Sequence, residues 1–190
     1  MRRWCTRLGV ACALAALSSL ATAADIERAE IHFSNGGYRY FLAATLNANA
    51  DAVRAVVSDF ERLARLNDDI ITSHLLARYD EHRLKRRLLL KHCLLVFCFD
   101  LNFVEQVEIL PNGDIETHII PAESTFNRGE SVWRISAVDA THTRVTLEAD
   151  QEPKFWIPPM VGPLIVKSSF IAEVTETINK IEQLASAHVQ

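Results

Sequence analysis

Glycine and proline are scarce, six of each in 190 residues, and nowhere between Asp25 and Gln190 do they gather into a long polar stretch that would link two domains. Internal repeats and low-complexity segments are absent as well, so residues 24–190 read as one folding unit. The chain has no Gly-x-Ser-x-Gly, no glycine-rich phosphate loop and no His-Glu-x-x-His. Common nucleophilic, nucleotide and zinc-protease chemistries therefore have no foothold. There is no excess of basic charge: Lys and Arg number 20 against 24 Asp and Glu, a formal net charge of −4, which argues against a nucleic-acid partner. Cysteines are few, and two of the four, Cys5 and Cys12, fall within the first twelve residues.

What is present begins at the N-terminus. Arg2, Arg3 and Arg7 precede an apolar run over residues 8–20, which reaches Ala21-Thr22-Ala23 ahead of Ala24. Basic start, apolar middle and small-x-small end describe a cleavable signal peptide over residues 1–23. A spanning helix needs about 20 apolar residues, and Ser18, Ser19 and Thr22 shorten this run. Gly9 stands where a lipobox has Leu, and the Ser and Phe-Leu that frame a twin-arginine signal are missing. Cleavage after Ala23 leaves residues 24–190 as a more acidic domain with only Cys93 and Cys98, in a compartment that permits disulfides. The expected location is secreted, in the periplasm.

Along the mature chain, residues 38–46 alternate as a half-buried strand after a turn at Asn35-Gly36-Gly37. A helix follows, capped by Asn49 or Asp51. Val53, Val56, Val57, Phe60, Leu63 and Leu66 set its apolar face until Asn67-Asp68-Asp69 ends it. Residues 70–79, 115–120, 131–138 and 143–149 read as further strands separated by turn-forming stretches. A final helix of about 22 residues is expected from Pro163 onward, with Ile171, Val174, Ile178 and Ile181 on its buried face.

Residues 83–93 and 98–108 carry the most specific internal pattern. Folded back so that facing residue numbers sum to 191, they set Leu84/Val107, Leu88/Phe103 and Leu90/Leu101 on one face. Arg83/Glu108 and Lys91/Asp100 fall on the other as opposite charges. A slip by one residue destroys both patterns. The same register puts Cys93 opposite Cys98 across Leu94, Leu95, Val96 and Phe97. A disulfide there would pin an apolar loop that either meets a membrane or tucks under neighbours such as Trp156 and Pro158.

An early helix, an antiparallel meander and a long terminal helix give an α+β chain, a curved sheet wrapped around the last helix. Residues 58–63 through Leu66-Asn67 (Ser-Asp-Phe-Glu-Arg-Leu, then Leu-Asn) resemble the Asp-Tyr-x-x-Leu-Pro-x-x-Asn stretch of the START-like superfamily. That superfamily is also called the polyketide cyclase/dehydrase and lipid-transport or SRPBCC group, and it includes coenzyme Q-binding START-domain proteins. Phe60 and Ala64 depart from the usual Tyr and Pro. Trp156-Ile157-Pro158-Pro159 and Gly162-Pro163 are also similar to bacterial members. The resemblance covers nearly all of residues 38–187. It implies a helix-grip fold with a cavity between sheet and terminal helix, used by different members to hold sterols, phospholipids, quinones, polyketides or hormones, and by some to cyclise or dehydrate them. Fold alone does not choose among these.

The hairpin register also places Arg86 opposite Glu105 on the apolar face. Burying both ions is costly unless they pair and gain further hydrogen bonds, or unless water or a ligand head group reaches them; a twist or bulge that turns both to solvent is the plainer alternative. In the functional reading Arg86 orients a polar head group and Glu105 orients Arg86. Leu88, Leu90, Leu101, Phe103, Ile119, Trp133 and Trp156 then surround the apolar body. Trp133, Phe155 and Trp156 are alternatively core or strand-end aromatics. The stripe Arg83, Lys85, Arg87 and Lys91 is either a solvated face or a surface for anionic lipid. His92 and Cys93 point to opposite faces, so no metal site is expected, and no cofactor is expected. The expected function is an exported binding or transfer protein for a hydrophobic small molecule or lipid, with peripheral membrane contact as a further option. The main alternative is a cyclase or dehydrase-type enzyme using Arg86, Glu105 and His92. The other is an interaction module with a collapsed cavity.

Overall fold

The computed structural model describes residues 24–34, 36–94, 97–156 and 162–187; for His92, Leu94, Phe97 and residues 162–166 it describes the backbone alone. The expected leader, residues 1–23, lies outside the described residues.

Among the described residues eight antiparallel strands form one sheet in the order β1-β2-β8-β7-β6-β5-β4-β3. β1 (Asp25–Ser34) and β2 (Gly37–Leu46) form the first hairpin, with Gly36 at φ 82° in its turn. The sequence pattern does not reveal β1: it lies at an edge, and Ile31 alone among its residues is fully buried. α1 (Ala50–Val57) starts where Asn49 accepts a hydrogen bond from the Ala52 N–H at 2.8 Å. Such a cap satisfies one of the helix's orphan donors and stabilises it by about 1 kcal/mol.

The helix is shorter than its apolar periodicity predicts, ending at Val57 rather than Asn67. Asp59 holds the next turn out of helical geometry by pairing with both Arg62 (2.7 Å) and Arg65 (3.0 Å). The Phe60 carbonyl accepts from the Ser73 hydroxyl on β3. Phe60, Leu63 and Leu66 still reach the core, through a 3₁₀ turn at Leu63–Arg65.

β3 (Ile70–Arg78), β4 (Arg83–Leu94), β5 (Phe97–Ile109), β6 (Ile115–Ile119), β7 (Phe126–Ala137) and β8 (Thr143–Pro153) form the meander. β4 and β5 pair in the register expected, from Arg83↔Glu108 to Leu94↔Phe97. Arg83, however, closes on Asp80 at 2.8 Å in the preceding turn, so the register is right while the expected ion pair with Glu108 gives way to a local one. β7 and β8 run further than their apolar alternation indicates, because they pair with each other out to Phe126↔Pro153.

α2 (Gly162–Ala187) has 26 residues, about 39 Å of helix, and lies against β1, β2, β4 and α1. Val174, Ile178, Ile181 and Ala185 are buried on it as a 4,3,4 repeat should be. Ile171 is not: it is 41% exposed, and Phe170 points inward instead, its ring 5.2 Å from that of Tyr40. No helix among the described residues is long and apolar enough to cross a membrane. Burial of Glu182 is compensated by the backbone N–H (2.6 Å) and the amide (3.0 Å) of Asn47, which tie α2 to the end of β2.

Candidate functional site

The inner face of the sheet is apolar next to α1 and the C-terminal half of α2. Further along it opens into a cavity of about 320 Å³ beneath the N-terminal half of α2. Leu88, Leu90, Leu101 and Phe103 form its wall on β4 and β5, because inward-facing residues alternate and the register aligns them. Trp133 on β7 and Leu147 on β8 close the opposite side.

Within this lining lies a chain of polar groups crossing four neighbouring strands. Arg86 Nε donates to Glu105 Oε2 at 2.9 Å, with the two residues 8% and 4% exposed. Thr117 Oγ1 donates to Glu105 Oε1 at 3.3 Å, and the hydroxyls of Thr117 and Ser131 lie 2.8 Å apart. Both carboxylate oxygens of Glu105 are therefore engaged, which offsets much of the desolvation cost of the buried pair. Arg86 also lies over the Phe60 ring at 5.3 Å, where the ring face attracts a cation. Among the described residues no acceptor meets the two terminal nitrogens of Arg86, and the residue lines the cavity.

Two tyrosines that sequence patterning assigns only to a half-buried strand share this wall. Tyr38 donates to Gln151 Oε1 at 2.8 Å. Tyr40 makes no hydrogen bond to any described residue through its hydroxyl, and burial, reinforced by the Glu105 carboxylate and opposed by Arg86, pushes its phenol well above the usual range. It is thus a permanent donor at neutral pH. Across the cavity, Asn67 donates to Glu173 Oε2 (2.9 Å) and Thr177 Oγ1 (3.1 Å), while its own Oδ1 accepts from the Asp69 N–H at 2.7 Å. Only folding brings residues 67–69 to a turn of α2; no local motif announces it.

Two residues expected on the wall lie elsewhere. Ile119 is inward-facing but packs with Phe103 and Phe126 and does not border the cavity, since the small Gly129 lets it settle against β7. Trp156 is 75% exposed, and its neighbour Phe155 continues an aromatic row instead: Phe99, Phe155, Phe126 and Phe103 follow at 5.3, 6.2 and 4.4 Å. The side chains of His92 and of Leu94, Leu95, Val96 and Phe97 lie outside the described residues. Cys93 and Cys98 are joined by a disulfide on the outer face, their Cα atoms 4.0 Å apart. Of the basic stripe on that face, Lys85 pairs with Glu123 at 2.7 Å and Arg83 with Asp80, so half of it is neutralised within the chain. Among the described residues no three His, Cys, Asp or Glu side chains are placed to hold a metal ion.

The family model described as polyketide cyclase / dehydrase and lipid transport matches residues 46–170, which span α1, the cavity wall and the first turns of α2. The chain belongs to this family. Solved structures share the fold. The Zhui aromatase/cyclase from Streptomyces sp. R1128 is 15% identical with a TM-score of 0.65, over 80% of this chain and 95% of that one. A START superfamily protein from Mycobacterium smegmatis is 21% identical with a TM-score of 0.62, over 78% and 99%. A STAR-related lipid transfer protein from Xanthomonas axonopodis is 18% identical with a TM-score of 0.57, over 82% and 99%. No curated protein matches the sequence. Family members of both kinds, cyclase and lipid carrier, thus share this helix-grip frame for hydrophobic ligands, and the choice between them rests on the cavity's own groups.

Proposed function

We propose that the protein is an exported binding or transfer protein that holds one small hydrophobic ligand in the cavity under α2, its polar end at Arg86. The observation that carries this reading is a buried guanidinium, anchored through Nε by Glu105, on the wall of a cavity whose apolar lining includes Leu88, Leu90, Leu101, Phe103 and Trp133. A pocket of this size lies at the lower end of those that hold drug-sized molecules, so the cargo is compact. Export is supported by the leader-like residues 1–23. Peripheral contact of the 94–97 turn with a bilayer belongs to the same proposal. Its support is the apolar sequence there and exposed Trp156, whose neighbour Phe155 stacks on Phe99.

Native mass spectrometry of the protein purified from its exported fraction tests the reading. A mature mass starting at Ala24 with a bound organic molecule is the expected result; an empty protein that takes up no apolar compound would sink it.

The likeness to an aromatase/cyclase keeps one rival in play: Arg86 and Tyr40 polarising a substrate carbonyl. Against it, both carboxylate oxygens of Glu105 already accept, one from Arg86 and one from Thr117, which leaves it poorly suited as a general base. Single-turnover assays with a poly-keto substrate separate the readings, since a carrier returns it unchanged.

A further inference from the structure

Of the two outer strands, β3 is broken twice, whereas β1 pairs with β2 without interruption from Arg28 to Ser34. The other edge of β1 meets no strand among the described residues. Seven consecutive residues there offer backbone donors and acceptors to a neighbour.

The helix above this edge adds an apolar shoulder. Asn179 of α2 accepts from the Ala24 N–H at 3.2 Å on the β1 side, while Glu173 and Thr177 face the other way, toward Asn67. Residues four apart share a helix face, so Ile171 and Thr175 lie on the ridge of Asn179. Phe170 packs on Tyr40 at 5.2 Å, and Tyr40 is the strand partner of Ile31. Ile171, 41% exposed, therefore stands above the middle of the open edge.

The side chains select one register. When an antiparallel strand meets its own copy across a two-fold axis, one residue faces itself. Centred on Ile31, the pairing sets Glu30 against His32 on the outer face, carboxylate against imidazole, and the large Phe33 against the small Ala29 on the inner face, each twice. Centred on Glu30, it would set that carboxylate against itself and Arg28 against His32. Centred on His32, it shortens to residues 30–34; centred on Ala29, it runs into the break between Ile26 and Arg28. The Ile31 register alone uses the whole regular stretch, with Arg28 opposite Ser34.

We infer that the protein forms a two-fold dimer in which β1 pairs with β1 of a second copy, centred on Ile31, joining two eight-stranded sheets edge to edge. Glu30 and His32 bridge the outer face, and Ile171 of each helix closes over the inner one. Ile31 also borders the cavity, so the two cavities flank the axis. The contact uses up the regular edge of both copies and leaves the twice-broken β3 outermost on either side, so assembly stops at two. It holds whatever the cavity carries.

Sedimentation equilibrium and amide hydrogen exchange of the purified protein test it. Seven paired residues and two helix shoulders make a small interface, so a reversible dimer with a dissociation constant in the micromolar range is expected. Its formation slows exchange in residues 28–34 and not in residues 72–78. His32→Glu, at a side chain 77% exposed, sets carboxylate against carboxylate twice per dimer. It is expected to weaken association at least about tenfold, with the fold retained by circular dichroism. Glu30→His combined with His32→Glu restores carboxylate against imidazole and returns the constant to within about threefold of the wild type. A monomer at every concentration up to on the order of 100 µM, a dimer whose protected amides lie elsewhere, or a His32→Glu protein that dimerises as tightly as the wild type overturns the inference.

Discussion

Arg86 and Glu105 face each other across β4 and β5, Nε 2.9 Å from Oε2, at the only register that also aligns Leu88 with Phe103. A buried pair of this kind is costly to break from one side, because the remaining charge is left in a poorly solvating site. Arg86→Met or Glu105→Gln alone is expected to destabilise by about 3–5 kcal/mol, and the double variant by much less than the sum. Urea unfolding of the four proteins measures the coupling; additive losses would show that the pair is not a unit.

Leu101 borders the cavity on β5. Leu101→Trp puts a larger side chain into the cavity, so uptake of an apolar probe such as Nile red should fall several-fold while the melting temperature moves by only a few degrees. Dye titration and thermal melts of both proteins give the comparison; equal uptake would place Leu101 outside the binding space.

Gly129 has no room for a side chain: an added Cβ would lie 2.4 Å from Ile119 Cδ1. Gly129→Ala should cost about 1–3 kcal/mol by overpacking, and Ile119→Val, which shortens the offending branch, should recover part of it in the double variant. Thermal melts of the single and double variants decide; no recovery would place the strain in the backbone.

The turn before β4 supplies an acid-sensitive contact. A hydrogen bond from Arg83, helped by the backbone N–H groups of His82 and Arg83, lowers the Asp80 carboxyl from 3.8 to about 2. The folded state therefore binds the proton less readily than the unfolded chain. Its stabilisation is fully present above about pH 4 and fades as pH falls toward 2. Asp80→Asn should lower stability at neutral pH and converge with the wild type near pH 2; a constant difference across that window would assign the effect to something other than ionisation.

The disulfide closes a loop with a sequence separation of only five. Cys93→Ser/Cys98→Ser is expected to lose at most about 2 kcal/mol. Thiol titration of the wild-type protein should find Cys93 and Cys98 without free thiols, and a larger loss of stability would mean that the bridge holds more than its own turn.

How far the sequence reveals this molecule depends on where each signal is stored. The β4–β5 register is legible because two strands joined by a short turn write both faces of their pairing into one stretch of chain. β1 is not, since one edge strand with a single buried side chain has little alternation to show. Arg86 and Glu105 can be found from that register. Tyr40, Asn67, Asp69 and Glu173 cannot, because they meet around one cavity only when α2 packs over segments far away in the chain. Trp156 misleads for the opposite reason: aromatic character is visible in sequence, whereas its exposure depends on how Phe155 chooses its stacking partners.

The sheet is open, and both of its outer strands are irregular: β1 shifts register between Ile26 and Arg28, and β3 shifts twice, between Ile70 and Thr72 and between Leu75 and Ala77. The residues passed over on β3, Ile71 and Leu76, are exposed and apolar, as is Tyr79 just beyond the strand. On a straight strand they would give a neighbouring molecule a greasy template with a continuous row of backbone donors and acceptors. Broken into a regular stretch no longer than residues 72–75, that row leaves an incoming strand with too few consecutive bonds to take hold. The irregularities thus act as colloidal protection, letting the sheet stay open on both sides without seeding fibres.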